Sequence, residues 1–243
     1  MNQRQKDIVS FTEAAGEITI KELAKRLGVS EMTVHRDLDF LQAERYVYKK
    51  RGAAVFIESA DRNKSDFYVE EKRYIGRKAA ELVPDGASII FDNSTTALEC
   101  ARFLNPDGKY TFYTTNLETA ELLASYVGSV LYCSGGYYFP DSKGFVGAQA
   151  EAFISSIKAD ICFIGASGVT LDGTTTPYPM HTNLQKSIIA SAKTKILVCD
   201  HSKFDKRAME KICDLPDIDM IVTDGGISNE TYERYSSFIK IIN

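Results

Sequence analysis

Two groups of residues in this sequence have the types and spacing to do chemistry. The first is Ser30-Glu31-Met32-Thr33-Val34-His35-Arg36-Asp37-Leu38-Asp39-Phe40-Leu41. Val34, Leu38 and Leu41 recur at i, i+4 and i+7, so they share one side of a helix. The other side carries Glu31, Thr33, His35 and Arg36, with Met32 in the same leading turn; these are short or forked polar groups that can hydrogen-bond to base edges and phosphates. Gly28 can take the left-handed conformation that ends a preceding helix. Ser30 can cap the next helix by accepting a backbone N–H. A short helix, a tight turn and a second helix with a polar, partly basic leading edge is the layout of a helix-turn-helix, whose second helix fits the DNA major groove.

The second group is scattered but repetitive. Small and polar residues follow one apolar run after another: Asp92-Asn93-Ser94-Thr95-Thr96, Thr115-Asn116, Ser134-Gly135-Gly136, Gly165-Ala166-Ser167-Gly168 and Lys203. In open α/β sheets, ligands bind beyond the carboxyl ends of the strands. Ser94, Thr95 and Thr96 open a helix, and its free N–H groups and positive end suit an anion such as phosphate. Glycines at 135, 136, 165 and 168 admit a ligand close to the backbone, and Lys186 or Lys203 could supply the counter-charge. Capping residues and glycine turns also occur in α/β proteins that bind nothing there; recurrence at several strand ends is the signal.

The elements that must position the first group lie in residues 1–57. The pattern predicts a helix over 3–14 with Ile8, Phe11 and Ala15 on one face, ended by Gly16. Thr19 and Glu22 form a capping box for a helix running to Leu27, which buries Ile20, Leu23, Ala24 and Leu27. A third helix covers 30–44. Residues 46–56 alternate as a β-hairpin with Gly52 near its turn or a bulge, placing Lys49, Lys50 and Arg51 on a wing where cations meet phosphates. Residues 58–65 are polar and unpatterned and read as a linker. A domain over 66–243 then opens with a helix over 66–82. From residue 86 apolar runs alternate with helices, which predicts a mostly parallel sheet covered on both faces.

Composition agrees with a globular chain: of 243 residues, 44% are hydrophobic and 26% charged, with a net charge of −4. That charge excludes a polyanion binder as a whole. Residues 1–57, however, hold 10 Lys/Arg against 8 Asp/Glu, and the remainder 19 against 25, so a mildly basic head sits on an acidic body. Five scattered cysteines lack a Cys-x-x-Cys pair, and His35, His181 and His201 share no ligand spacing, so neither a metal site nor disulfides are expected. No stretch reaches about 18 apolar residues and the N-terminus lacks a signal core. A cytoplasmic chain with no membrane partner is therefore expected.

The residues also carry a resemblance. Gln3-Arg4-Gln5-x-x-Ile8-Val9, Glu22-Leu23-Ala24, Leu27-x-Val29-Ser30 and Thr33-Val34-x-Arg36-Asp37-Leu38-x-x-Leu41 resemble the head of the DeoR family of bacterial transcriptional regulators. Asp92-x-Ser94-Thr95-Thr96, Thr115-Asn116, Gly135-Gly136, Gly165-Ala166-x-Gly168 and Asp200-x-Ser202-Lys203-Phe204 resemble the effector domain of the same family. The resemblance implies a winged helix-turn-helix joined to an α/β domain related to ribose-5-phosphate isomerase and glucosamine-6-phosphate deaminase. It further implies a homo-oligomer that binds operator DNA and senses a phosphorylated sugar. Four segments depart from the family pattern. His35 stands where a basic residue precedes Arg36. Glu44-Arg45 and Arg51-Gly52-Ala53-Ala54 replace a Glu-Gly and a His-Gly-Gly-Ala motif. Thr182-Asn183-Leu184-Gln185-Lys186 keeps the lysine but not the carboxylate of a Glu-Ala-x-x-Lys pattern.

Two other readings stay open at this point. One is a DNA-binding protein whose large domain only assembles oligomers. The other is a sugar-phosphate isomerase, which needs a positioned base; the related enzymes place an acid just after Gly-Ala, where this chain has Ser167-Gly168 and no acid before Asp172.

Overall fold

A computed structural model describes residues 2–43, 46–56 and 68–243. The expected linker over 58–65 and the first residues of the helix expected from Asp66 lie outside the described residues. The chain divides into two compact units between Phe67 and Tyr68.

The first unit runs α1 (Gln3–Ala15), β1 (Glu17–Thr19), α2 (Ile20–Leu27), α3 (Glu31–Ala43), β2 (Val47–Lys50) and β3 (Ala53–Phe56). Its core is Ile8, Ile18, Ile20, Leu23, Val34, Leu38, Leu41, Val47 and Ala54. The hairpin expectation holds, since β2 and β3 pair with Lys50 opposite Ala53, leaving Arg51-Gly52 as a two-residue turn with Gly52 at φ 78°. The sheet has a third strand that alternation did not announce, because β1 is only three residues long and pairs with β3 through Glu17, Ile18 and Thr19. The inner face of α1 also differs from expectation. Ile8 and Thr12 are buried while Ala15 is exposed; the Thr12 hydroxyl donates to the Ile8 carbonyl at 2.7 Å, so a polar residue enters the core already satisfied. Thr19 accepts from the Glu22 N–H at 3.1 Å, but the Glu22 carboxylate pairs with Arg26 instead of closing the box.

The second unit contains α4 (Val69–Ala80), β4 (Ser88–Phe91), α5 (Thr95–Arg102), β5 (Thr111–Thr114), α6 (Leu117–Leu123), β6 (Val130–Cys133), β7 (Tyr137–Phe139), β8 (Gly144–Val146), α7 (Ala148–Ser155) and β9 (Ala159–Ile164). It continues with β10 (Gly168–Thr170), β11 (Gly173–Thr176), α8 (Pro179–Ser191), β12 (Ala192–Val198), β13 (Glu210–Cys213), β14 (Met220–Val222), α9 (Asn229–Ser236) and β15 (Lys240–Ile242). Seven strands form one sheet in the order β15-β14-β12-β9-β4-β5-β6, parallel throughout. Alternate residues of the central strands feed two cores. Ile89, Phe91, Ile161 and Phe163 pack with Ile75, Ala97 and Ala101 from α4 and α5. Ile90, Cys162 and Ile164 pack with Ile154, Leu184, Ile188 and Tyr235 from α7, α8 and α9.

Two additions interrupt the parallel plan. β7 and β8 form a hairpin, and β10, β11 and β13 form a small antiparallel sheet. The Thr174–Thr176 tract is a buried strand of that sheet. Helix α8 starts at Pro179, because proline suits the first turn, where no helical N–H bond is lost.

The sheet leaves β4 in both directions, first to β5 and later to β9. The gap between the ends of β4 and β9 is therefore a topological switch point, where a crevice opens. Behind it, α4 and α5 cross closely. A Cβ on Gly76 would lie 2.6 Å from the Glu99 carbonyl oxygen. Gly76→Ala is therefore expected to cost about 1–3 kcal/mol of stability by overpacking, read as a lower denaturation midpoint of the second unit.

Candidate functional site

In the first unit, Ser30 caps α3 as expected: its hydroxyl accepts from the Thr33 N–H at 3.2 Å and lies 2.9 Å from the Thr33 hydroxyl. Val34, Leu38 and Leu41 are fully buried. Ser30, Glu31, Met32 and Arg36 are exposed, and Thr33 and His35 half-buried, so the face expected to meet DNA points outward. The two acids that follow Arg36 in α3 are engaged elsewhere. Asp37 is buried and accepts from Arg4 Nε at 2.5 Å and from Gln5 Nε2 at 3.2 Å. Asp39 pairs with Lys49 at 2.5 Å. Among the described residues, no carboxylate pairs with Arg36.

These bonds also set the wing. Gln42 of α3 accepts the Lys49 N–H at 2.7 Å, so β2 is hung from the recognition helix. Lys50 reaches Glu17 at 3.3 Å, and Arg51 sits exposed at the turn. The Asp37 anchor was visible in the sequence as an acid lying on the apolar side of α3, between Val34 and Leu41.

In the second unit, the centre of the strand-end loops is Asp92, which is fully buried at the end of β4. One carboxylate oxygen accepts the Ser94 N–H at 2.8 Å. The other accepts the Gly165 N–H at 2.8 Å and Gln185 Nε2 at 3.3 Å. Gln185 Nε2 also donates to the Gly165 carbonyl at 3.0 Å. Burial pushes the Asp92 carboxyl above the usual range, against the N–H groups that favour its charge. Ser94 caps α5 by accepting the Ala97 N–H at 3.1 Å, and the N–H groups of Thr95 and Thr96, in the first turn, have no acceptor within the helix. Gly165 is required beside it, since a Cβ there would lie 2.5 Å from Ser94 Cβ.

The turn over 140–144 crosses the ends of β4 and β5. Asn93 Nδ2 donates to the Ser142 hydroxyl at 3.3 Å, and Asn116 Nδ2 to the Ser142 carbonyl at 3.0 Å. The Phe145 N–H meets the Thr115 carbonyl at 2.6 Å. Asn116 also caps α6 through the Thr119 N–H at 2.8 Å. Asp92, Asn93, Ser94, Thr115, Asn116 and Gly165 thus belong to one bonded network, with Ala166 half-buried beside it. Gly135 and Gly136 have positive φ, and Gly136 lies under the Val146 carbonyl at the start of α7.

Two expected residues are placed differently. Gly168 is buried in β10, where a Cβ would strike the Lys206 carbonyl at 2.3 Å, so its role is packing. Lys186 is exposed and lines an open groove of about 780 Å³ with Lys195, Lys211, Asp214 and Asp217, away from the loops that end the strands. The helical period turns Gln185, not Lys186, toward the crevice. Gln185 and Thr182, one turn apart, each bury a polar oxygen without a hydrogen-bond partner. Sequence reasoning missed Gln185; its place on the apolar side of α8 beside Leu184 and Ile188 was the available signal. Lys203 stands at the end of β12, 3.8 Å from the buried Asp200. Nearby, His201 Nδ1 is 2.7 Å from Asp224, a pair that sequence spacing could not bring together.

A winged helix-turn-helix with an outward polar helix, followed by a parallel α/β unit with a polar crevice at its switch point, is the architecture of a ligand-responsive DNA-binding regulator. The sequence matches the DeoR-like helix-turn-helix domain over residues 4–60 and the DeoR C terminal sensor domain over 68–225. It is 30% identical to the glycerol-3-phosphate regulon repressor of Haemophilus influenzae, over 97% of this chain and 95% of that protein. It is 30% identical to the HTH-type transcriptional regulator GolR of Listeria innocua, over 96% and 94%. Among solved structures, ribose 5-phosphate isomerase A of Methanocaldococcus jannaschii aligns at a TM-score of 0.40 with 20% identity, over 55% of this chain and 53% of that one. The chain belongs to the DeoR family and is a sequence-specific DNA-binding transcriptional regulator.

Asp92 uses both oxygens as acceptors, so Asp92→Asn turns an amide N–H against a backbone N–H. A loss of about 1–3 kcal/mol is expected, measured by chemical denaturation. The hydrogen bond to Asp224 raises the His201 pKa against partial burial, with Asp224, Asp200 and Glu71 adding charge. Burial opposes the charge on Asp224, but the bonds from His201 and Gly226 hold its carboxyl below the usual range. The raised histidine contributes stability that is complete below about pH 6.5, its unfolded value, and lost as pH rises through its folded value. The depressed carboxyl contributes above about pH 3.8 and loses it as pH falls through its own folded value. An NMR titration of His201 is expected to show a midpoint above 6.5 that Asp224→Asn lowers.

Proposed function

We propose that this regulator represses carbohydrate-metabolism genes and leaves its operator when a phosphorylated sugar or related metabolite binds the strand-end crevice. In this reading the domains are 1–57 and 66–243, joined by a linker over 58–65. The protein acts as a homo-oligomer in the cytoplasm, and the crevice binds without turnover. The observation that carries the DNA half is the state of α3. Asp37 and Asp39, the acids that follow Arg36, are tied to Arg4 and Lys49, so Arg36, Thr33 and the wing tip Arg51 are left for the duplex. Arg36 and Arg51 would meet phosphates, and Ser30, Glu31, Met32, Thr33 and His35 lie where base edges and the nearby backbone would be.

The sensing half rests on the crevice. The α5 N-terminus at Ser94, Thr95 and Thr96 suits a phosphate. The unpartnered oxygens of Thr182 and Gln185 suit the hydroxyls of a polyol. Buried polar atoms left without partners favour a bound ligand over a domain that only assembles. Ser167, where the related enzymes have an acid, supports binding without proton transfer. The names of the relatives, a glycerol-3-phosphate regulon repressor among them, support the same effector class.

Footprinting of the purified protein on its own upstream DNA tests the first half. A discrete footprint is expected, and its absence with or without sugar phosphates would overturn the reading. Arg36→Ala should weaken binding across sequences and reduce the salt slope by about one, with the melting curve unchanged. A thermal-shift panel of phosphorylated sugars tests the second half. A true effector at about 100 times its Kd stabilises the fold by about 2.7 kcal/mol, and Gln185→Ala should abolish the shift while DNA binding persists.

A further inference from the structure

The sheet ends on one side at β6, with no strand paired to its outer edge among the described residues. Val130 N–H donates to the Tyr110 carbonyl at 2.9 Å, and Ser134 N–H to the Thr114 carbonyl at 3.0 Å. Even-numbered residues therefore bond to β5, and alternation turns the N–H and C=O groups of Leu131 and Cys133 outward. Native sheets usually guard such an edge with lysine, proline or a bulge. This edge has none of them. From Leu122 to Pro140 the chain carries no charged residue at all, the longest such run in the sequence. Exposed apolar side chains gather on the same segment and beside it: Leu117, Val127, Val130, Tyr132, Tyr137 and Tyr138. Tyr132 is held in place by stacking on Tyr113, with ring centroids 5.3 Å apart.

We infer that the outer edge of β6 is a two-fold seam, where a second copy of this chain pairs antiparallel with it. The charge pattern selects this occupant. A two-fold contact sets residues near the axis against their own copies, so any charge there would face its like, and this edge carries none, within the longest uncharged run of the sequence. The hydrogen-bonding parity restricts the register to those in which Leu131 and Cys133 exchange the bonds, and the proposed register is the one that pairs the two across a single axis. Leu131 and Cys133 present the free backbone groups, so Leu131 pairs with Cys133 of the partner subunit and the axis passes through Tyr132. Tyr132 then faces its own copy in a non-hydrogen-bonded pair, and two seven-stranded sheets become one continuous sheet. The inference rests on the oligomeric reading given above and adds the surface to it.

Sedimentation and light scattering on the full chain test it, comparing wild type with Val130→Lys/Tyr132→Lys. Both side chains are exposed, so the fold should survive, checked by far-UV circular dichroism. The double variant is expected to halve the particle mass. Independently, Tyr132→Cys in a Cys133→Ser background should form an inter-chain disulfide under mild oxidation, because the opposed Cβ atoms lie about 4.5–5.5 Å apart. A wild-type mass of one chain would overturn both the seam and the oligomeric reading. An oligomer that the lysines leave intact would overturn the seam alone. Should the lysine variant misfold, the cross-link decides: its formation supports the seam and its absence overturns it.

Discussion

The buried carboxylate of Asp92 is the contact on which the sensing unit depends. It lies at the end of the central strand β4, where the sheet turns both ways, and three segments distant in sequence meet on it. The Ser94 N–H brings the first turn of α5, the Gly165 N–H brings the loop after β9, and Gln185 brings α8. A buried charge is tolerated only when hydrogen bonds replace its water, and here those bonds come from the loops that shape the crevice. Removing any one of the three therefore raises the cost of the other two. The crevice keeps its shape because opening it would strand a carboxylate. The bonds of Asn93 and Asn116 to Ser142 extend the same network across the ends of β4 and β5.

The DNA-binding unit uses a carboxylate in a related way. Asp37 faces inward from α3 and holds Arg4 and Gln5 of α1, which fixes the rotation of α3 about its own axis. That rotation decides which side chains reach DNA. Asp39 and Gln42 then hang the wing from the same helix through Lys49. The two acids that follow Arg36 thus hold α3 against α1 and the wing against α3.

The parts legible in the sequence were those set by local period and capping. Val34, Leu38 and Leu41, the hairpin turn at Arg51-Gly52 and the caps at Ser30 and Ser94 follow from spacing and residue type alone. The alternation of apolar runs and helices gave the parallel sheet for the same reason. What was not legible depended on side-chain contacts, helix phase and strands too short to read from residue type. Thr12 reads as polar until its hydroxyl is seen bonded to the Ile8 carbonyl. The strands β1, β10 and β11 are too short to show a period. Lys186 drew attention as a charge, but the helix turns its neighbour Gln185 inward, and one residue along a helix is about 100° of rotation. Glycines at 165 and 168 look alike in sequence, yet one makes room for Ser94 and the other for the Lys206 carbonyl.

The same accounting indicates how a small effector could produce a large response. Around the strand ends lie buried polar oxygens without partners, those of Thr182 and Gln185 among them, and the first N–H groups of α5. A ligand that supplied a donor to each oxygen and a phosphate to the helix end would relieve all three at once. Each hydrogen bond to a charged group contributes about 1.5–3 kcal/mol, and a tenfold change in affinity needs only about 1.4 kcal/mol. Contacts of that number are sufficient for a tenfold to hundredfold shift in operator affinity if they form in only one of two states. On the proposed reading the effector need not be large; its hydroxyls and phosphate would be spaced to meet α8 and α5 together.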